Sequence, residues 1–552
     1  MAAAWAVSGA CAWTVRVSCG IPRHHAGGYV RVLGPSRGRR ERRVGRELSW
    51  LRRDAKVGEE GPVEDDDEWS GRGLDRQIAN LALPALGALA LDPLLGLVDT
   101  GWVGRLESGP SDLAGLGTGL AVFAFTYRIF NFLTAVTGPL VAQEVAQGDA
   151  EAARKTVGGA VGLALALGFV SAGLLIGFRD PIVALVAGGG GGDQAAVEGV
   201  EAAARDYLAV RACALPAVLV SNVGVGAYRG LLDTRTPLRI AAVANLLNFT
   251  LDPILIFGAP FFHVPAFGVA GAAGATAISE CVAAAAYVAL LVSVRPKMIK
   301  RPSSGAANDD DDKEEEEPLL RIVDLTKIPG PGTLAPLLAG GASQIARTLS
   351  LQVFLVSAVS AAVRMDVSGL SAAAYQISLQ VYNTLLYALD ALAVPAQGLV
   401  ASALGTGDVQ KARRAGDRLL YLGTGAGFGL ALLVAAGHNL LPSLLTDDPD
   451  VADLAAPLLL YAAFLQPLNG VVFVGDGIFQ GATDFRYLAY AMGLAVALSL
   501  TFLEQGIVPL NDSLAGIWAV VALLQILRAA GLAARYYDIV PNSPLGLPSA
   551  RK

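Results

Sequence analysis

The chain has 552 residues, of which 53% are hydrophobic and only 16% charged, where soluble domains average about 25% charged. With a mean hydropathy of +0.50, this composition excludes an ordinary soluble domain and points to many membrane crossings. The net charge of −6 says little about partners, because one acidic loop dominates it.

Residues 1–55 read as a transit peptide. They hold eleven arginines by Arg53 and no acid before Glu41, with Ser8, Ser18, Ser36 and Ser49 scattered among them. That Arg-rich, acid-poor pattern is an organellar targeting signature, and the Met-Ala-Ala start favours a plastid. The plainer alternative is a disordered basic tail. Residues 56–73 turn acidic and read as a solvated linker. The four cysteines, Cys11, Cys19, Cys213 and Cys281, have no metal or disulfide spacing, and two lie in the leader.

Twelve apolar segments follow, at about 78–103, 113–135, 156–178, 206–227, 237–257, 269–293, 334–358, 368–392, 417–437, 454–477, 486–506 and 513–536. Each is about 20 residues or more, the length a helix needs to span a bilayer. The alternating pattern of a membrane β-barrel is absent, so an all-α polytopic fold is expected. Residues 295–332 carry Asp309 to Asp312 and Glu314 to Glu317 without apolar periodicity. They divide the chain into an N-terminal lobe (74–294), a C-terminal lobe (333–538) and a tail (539–552).

The halves repeat one another. Gly148-Asp-Ala-Glu-Ala-Ala-Arg154 matches Gly407-Asp-Val-Gln-Lys-Ala-Arg413, and Gly226-Ala-Tyr-Arg-Gly-Leu-Leu-Asp-Thr-Arg235 matches Gly477-Ile-Phe-Gln-Gly-Ala-Thr-Asp-Phe-Arg486, at offsets of 259 and 251 residues. Two matches in order at nearly one offset indicate a duplication. Six spans per half make the repeats parallel. The even-numbered connections hold seventeen Lys and Arg against four in the odd-numbered ones. Both termini and the central loop are therefore expected on the positive-inside face, the stroma in a plastid envelope.

Intramembrane acids are costly and mark ion or substrate paths. The first span carries Asp92 and Asp99, the fifth Asn245, Asn248 and Asp252 ahead of Pro253, and the eighth Gln376, Gln380, Asn383 and Asp390. Asn248 and Asp252 are four apart and share a helix face. A carboxyl in a low-dielectric cavity can take up and release a proton near neutral pH, and losing its charge can tip a helix between two states. The plainer reading of the amides is interhelical hydrogen bonding, at about 0.6 kcal/mol each. Glu280 stands as a lone acid in span six. No P-loop, His-Glu-x-x-His or Gly-x-Ser-x-Gly is present, so no enzyme is expected.

Several stretches resemble the multidrug and toxic compound extrusion (MATE) family. They are Pro84 with Val98-Asp99-Thr100, Arg229-Gly-x-x-Asp233-Thr234-x-Thr-Pro237, Asn248-x-x-x-Asp252-Pro253-Ile-x-Ile-x-Gly258, and Gly268-Val-Ala-Gly-Ala-Ala-Gly-Ala-Thr-Ala-Ile-Ser279. The Asn248/Asp252 pair and Asp390-Ala-Leu-Ala-Val-Pro-Ala-Gln397 look like the DinF-like branch and, with the leader, its plastid-targeted plant detoxification members. The resemblance implies two six-helix lobes forming a V and antiport of organic solutes against protons or sodium. It implies a proton site at Asp99, Asn248, Asp252 and Thr276. Other branches place cation-binding acids in helices seven and ten. Here span seven has none and span ten only Asp476, which favours protons over sodium. Arg347 and Arg128 are candidates for favouring an anion, or for snorkelling or pairing with an acid.

The expected protein is thus a proton-coupled antiporter of the plastid envelope, monomeric, exporting a small organic solute such as a carboxylate, a phenolic compound or a xenobiotic. Asp92, Asn245, Gln376, Gln380, Asn383 and Asp390 are candidates for the cleft. The bilayer is the expected partner. No nucleic-acid partner, cofactor or metal is expected beyond the coupling ion. The alternatives are a lipid or lipid-linked flippase of the same superfamily, or a transport-inactive membrane sensor.

Overall fold

The computed structural model describes residues 71–106, 110–187, 194–294, 318–321, 330–365, 368–446, 448–504 and 513–546. The stretch expected as a transit peptide, most of the acidic stretch after it and most of the central loop lie outside these residues, as does the side chain of Asp92.

The chain is built from helices: α1 (Gly71–Val103), α2 (Pro110–Phe130), α3 (Phe132–Gln147), α4 (Ala150–Gly177), α5 (Arg179–Ala187), α6 (Gln194–Gly230), α7 (Arg235–Ile256), α8 (Val269–Ser293), α9 (Pro331–Val363), α10 (Leu370–Gly405), α11 (Val409–Gly437), α12 (Leu440–Ser443), α13 (Pro449–Gly481), α14 (Phe485–Glu504) and α15 (Leu514–Tyr536). Among the described residues, eleven spans are long and apolar enough to cross a membrane, α2 and α3 together making one. The twelfth expected span is α1, at 33 residues longer than a crossing requires. It starts at Gly71, so helix begins inside the stretch expected as linker.

The repeat matched in sequence is also a repeat of backbone geometry. Gly148 and Gly407 end α3 and α10 in the left-handed region, at φ 77° and 81°. The next residue caps the following helix: Asp149 accepts from the Ala152 N–H at 2.8 Å and Asp408 from the Lys411 N–H at 2.9 Å. In the second pair of turns, Leu232 and Thr483 both take positive φ, 57° and 56°. The Asp233 N–H donates to Tyr228 O at 2.9 Å and the Asp484 N–H to Phe479 O at 3.0 Å, the helix-ending pattern that satisfies otherwise orphaned carbonyls.

Packing repeats as well. The spans buried deepest are those of α6 and α13, with 67% and 61% of their most apolar windows inside the protein. Gly230 of α6 lies so close to α3 that an added Cβ would stand 2.6 Å from Gly138 O, and one on Gly481 of α13 would stand 2.6 Å from Gln397 O of α10. Small residues at such crossings let membrane helices pack backbone to backbone.

The lobes are joined at the end that carries the even-numbered connections. Leu74, Ile78 and Leu81 of α1 sit in one core with Leu399 and Val400 of α10, Leu419 of α11 and Phe479 of α13. Gln143 Nε2 of α3 donates to Gly481 O at 3.0 Å, and Asp75 pairs with Arg418. Two segments expected as loop or tail are docked. The Leu319 and Leu320 N–H groups donate to Val294 O and Leu291 O, at 3.0 and 3.2 Å. Arg413 Nε donates to Leu545 O at 2.7 Å, and the Leu545 side chain is buried.

Candidate functional site

Three helices of the N-terminal lobe bring four of the expected residues together. Asp99 lies in the last turns of α1, Asn248 and Asp252 one turn apart on α7, and Thr276 on α8. Asn248 and Asp252 are fully buried, and Asp99 and Thr276 are 4% and 8% exposed. Asn248 Nδ2 donates to Thr276 Oγ1 at 3.1 Å, and Thr276 Oγ1 donates to Ala272 O at 3.0 Å. The Thr276 hydroxyl is thus committed as a donor to its own helix, which orients its lone pairs toward the Asn248 amide. α7 runs through Pro253 to Ile256. Because proline has no N–H, one carbonyl of the preceding turn is freed beside Asp252.

The carboxyls of Asp99 and Asp252 lie within hydrogen-bonding reach of one another. Neither Asp252 oxygen, nor Asp99 Oδ1, nor Asn248 Oδ1 receives a hydrogen bond from the protein. Two ionised carboxylates only accept, so the pair as built is a cluster of acceptors that needs a donor. A proton on either carboxyl supplies one.

A third acid completes this region. Glu280 of α8 is not the lone acid the sequence suggests: Arg211 of α6 grips it with both prongs of its guanidinium, Nη2 to Oε1 at 2.9 Å and Nη1 to Oε2. The Phe123 ring lies under the guanidinium, 3.9 Å from Cζ to ring centre, a cation–π arrangement. Arg211, Glu280 and Asp99 act electrostatically on one another and on Tyr207. In this cluster three carboxyls, Asp99, Asp252 and Glu280, thus stand against the one guanidinium of Arg211. An arginine inside an apolar span is the signal that would have flagged Arg211.

The remaining expected residues are not gathered into this cluster. Asn245, one turn before Asn248, is half-buried. On α10, Gln376 and Gln380 are exposed and Asn383 is half-buried. Asp390 instead lies within electrostatic reach of Arg229, Arg347 and Asp476. Asp476, the acid that the sequence offers in span ten, is held by two arginines, Arg347 and Arg528. Arg128 of α2 donates to Gln352 of α9 at 3.2 Å, a contact between lobes. Among the described residues no group of His, Cys, Asp and Glu has the arrangement of a metal site.

A family model described as MatE matches residues 84–254 and 349–503. The chloroplastic Protein DETOXIFICATION 44 of Arabidopsis thaliana is 32% identical over 474 residues, spanning 82% of this chain and 80% of that protein. DNA damage-inducible protein F of Escherichia coli K12 is 29% identical over 474 residues, spanning 83% and 91%. A solved structure of a MOP-superfamily transporter from Pyrococcus furiosus superposes with a TM-score of 0.70 at 19% identity, over 85% of this chain and 97% of that one. A structure of a multidrug-resistance MATE transporter of the MOP superfamily in its outward-facing conformation superposes with a TM-score of 0.68, also at 19% identity, over 85% of this chain and 97% of that one. At that identity the likeness concerns the fold. The chain therefore belongs to the MatE family, the multidrug and toxic compound extrusion transporters.

Proposed function

We propose that this transporter is a proton-coupled antiporter that exports a small organic solute, with the Asp99–Asp252 pair as its proton site. The observation that carries the reading is the pair itself: two buried carboxyls within hydrogen-bonding reach, three of whose oxygens lack a donor. Protonation turns two repelling acceptors into a hydrogen-bonded pair that draws α1 and α7 together. Deprotonation releases it. Because α1 also reaches into the C-terminal lobe through Leu74, Ile78 and Leu81, a shift of α1 bears on how the lobes meet. Asn248 and Thr276 hold the pair in place through their own hydrogen bond.

The chloroplastic relatives and the Arg-rich leader support a plastid membrane as the location. The excess of Lys and Arg in the even-numbered connections supports placing these on the stromal side, so that solute leaves the stroma.

The test is flux in proteoliposomes under an imposed pH gradient, using citrate, salicylate and ethidium as probe solutes. Flux of at least one probe should follow the gradient in wild type and lose that dependence in Asp99→Asn. Flux that follows a sodium gradient and ignores pH refutes proton coupling. Gradient-dependent flux unchanged in Asp99→Asn refutes the site.

A further inference from the structure

The proton site lies against a fixed cation that its own four residues do not supply. Arg211 of α6 is 5% exposed. Its guanidinium is held on two sides: Glu280 of α8 takes both prongs, and the Phe123 ring of α2 lies under its face. A chain of contacts leads from this fork to the carboxyls. Glu280 is one turn after Thr276 and on the same face of α8. Thr276 receives the Asn248 amide, and Asn248 is one turn before Asp252 on α7.

The groups that act on one another here come from four helices. Asp99 of α1 is acted on by Asp252 of α7, by Arg211 of α6 and by Thr276 and Glu280 of α8. Asp252 is acted on by Asp99, and Arg211 by Glu280, Asp99 and Tyr207. Tyr207 is buried one turn before Arg211 on α6. Cys281, on the exposed side of α8, is acted on by Glu280 and Arg211. α2 brings the Phe123 ring. Among the described residues, α10, which packs on α1, brings no charge to Asp99.

An ion pair that merely neutralised itself would leave a neighbouring carboxyl indifferent. As felt at Asp99 this pair is unbalanced: Arg211 acts more strongly than Glu280 does. A carboxylate inside a protein is costly unless a charge or hydrogen bonds compensate it. Once the proton leaves, three of the pair's oxygens have no donor from the protein. Arg211 is then the one cation acting on Asp99 among the described residues. Glu280 works the other way, because it shares the guanidinium and adds a negative charge of its own.

We infer that Arg211 is a positioning residue of the proton site. Its fixed charge stabilises the deprotonated Asp99–Asp252 pair so that the proton can leave, and Glu280 holds that charge in place and tempers it. The inference rests on the antiporter reading above and adds the group that governs proton release.

The test reads protonation directly and needs no solute. Purified full-length protein in detergent is titrated while the infrared band of protonated carboxyls is followed. The part of the band that vanishes in Asp99→Asn and Asp252→Asn belongs to the pair. Its midpoint should move to higher pH by about one unit in Arg211→Met, because the deprotonated form has lost its cation. It should move to lower pH in Glu280→Gln, where the cation acts unshared. The double variant Arg211→Met with Glu280→Leu should fall between Arg211→Met and wild type. Arg211→Lys, which keeps the charge and loses the fork, should lie closer to wild type than Arg211→Met does. The inference is overturned if the two single variants shift the midpoint in the same direction, or leave it in place while the melting temperature falls, as a purely structural pair would. Where Arg211→Met does not fold, a Glu280→Gln midpoint at or above that of wild type overturns it. Midpoints unmoved within an intact titration overturn this inference alone. A wild-type band that does not titrate between about pH 4 and pH 10 overturns the proton site, and this inference with it.

Discussion

Asp75 of α1 and Arg418 of α11 form a two-pronged ion pair, Nε to Oδ1 and Nη2 to Oδ2, each at 2.6 Å. The residues are 343 positions apart and belong to different lobes. Both side chains are about a third exposed, so the pair is worth little as stabilisation. Its place is what matters: it ties the lobes at the end where Leu74 and Ile78 pack and Gln143 reaches Gly481 O.

Arg418 holds the Asp75 carboxyl below its ordinary value of 3.8. A carboxyl so shifted contributes fully above that value, and the contribution is lost only as pH falls below it. The pair therefore does not titrate across the working range. Asp75→Asn should lengthen the distance between spin labels on the even-numbered connections of the two lobes. The lengthening should be the same at about pH 6 as at about pH 8. A difference that grows between these two pH values would contradict this assignment.

Arg211 and Glu280 should behave as one unit. Glu280→Ala leaves a buried guanidinium without its acid, which costs about 3 kcal/mol or more, and the melting temperature in detergent should drop markedly. The double variant Arg211→Met with Glu280→Leu should recover much of that loss, because it removes both charges together. Equal or greater loss in the double variant would show that the pair does more than neutralise itself.

The crossings of α3 with α6 and of α10 with α13 should be equally intolerant of a methyl group. Gly230→Ala and Gly481→Ala each press a Cβ against a backbone carbonyl, and overpacking of this kind costs about 1–3 kcal/mol. Gly173→Ala is the control. Gly173 lies inside α4 with nothing within 4 Å of an added Cβ, and replacing an open helical glycine stabilises by about 0.5–1 kcal/mol. Thermal unfolding of the three variants decides it: the first two should lie below wild type and the third at or above it.

What was legible in the sequence follows from how local its signals are. The glycine-aspartate turns at Gly148 and Gly407 are written in adjacent residues, and the structure repeats their angles and caps. Asn248 and Asp252 share a face by spacing alone, and the family pattern supplied Asp99 and Thr276 from other helices. The ionic partners were hidden for the opposite reason. Glu280 meets Arg211 across 69 residues, and Asp476 meets Arg347 across 129. No periodicity within a single span encodes such a meeting. The docking of Leu319, Leu320 and Leu545 was missed because short apolar groups in polar stretches carry no periodic pattern. Asp390, grouped with the glutamines of α10 because it shares their span, comes under the influence of arginines from both lobes because helix crossings decide its neighbours.

Proton movement itself is the most direct measurement of the central claim. Proteoliposomes loaded with a solute shown to be transported and with an entrapped pH-sensitive dye are diluted into solute-free medium with no initial pH gradient. As solute leaves, protons should enter and the lumen should acidify in wild type. In Asp99→Asn and Asp252→Asn the dye signal should stay flat. Solute efflux without acidification in wild type, or acidification undiminished in both variants, would contradict a proton site at the Asp99–Asp252 pair.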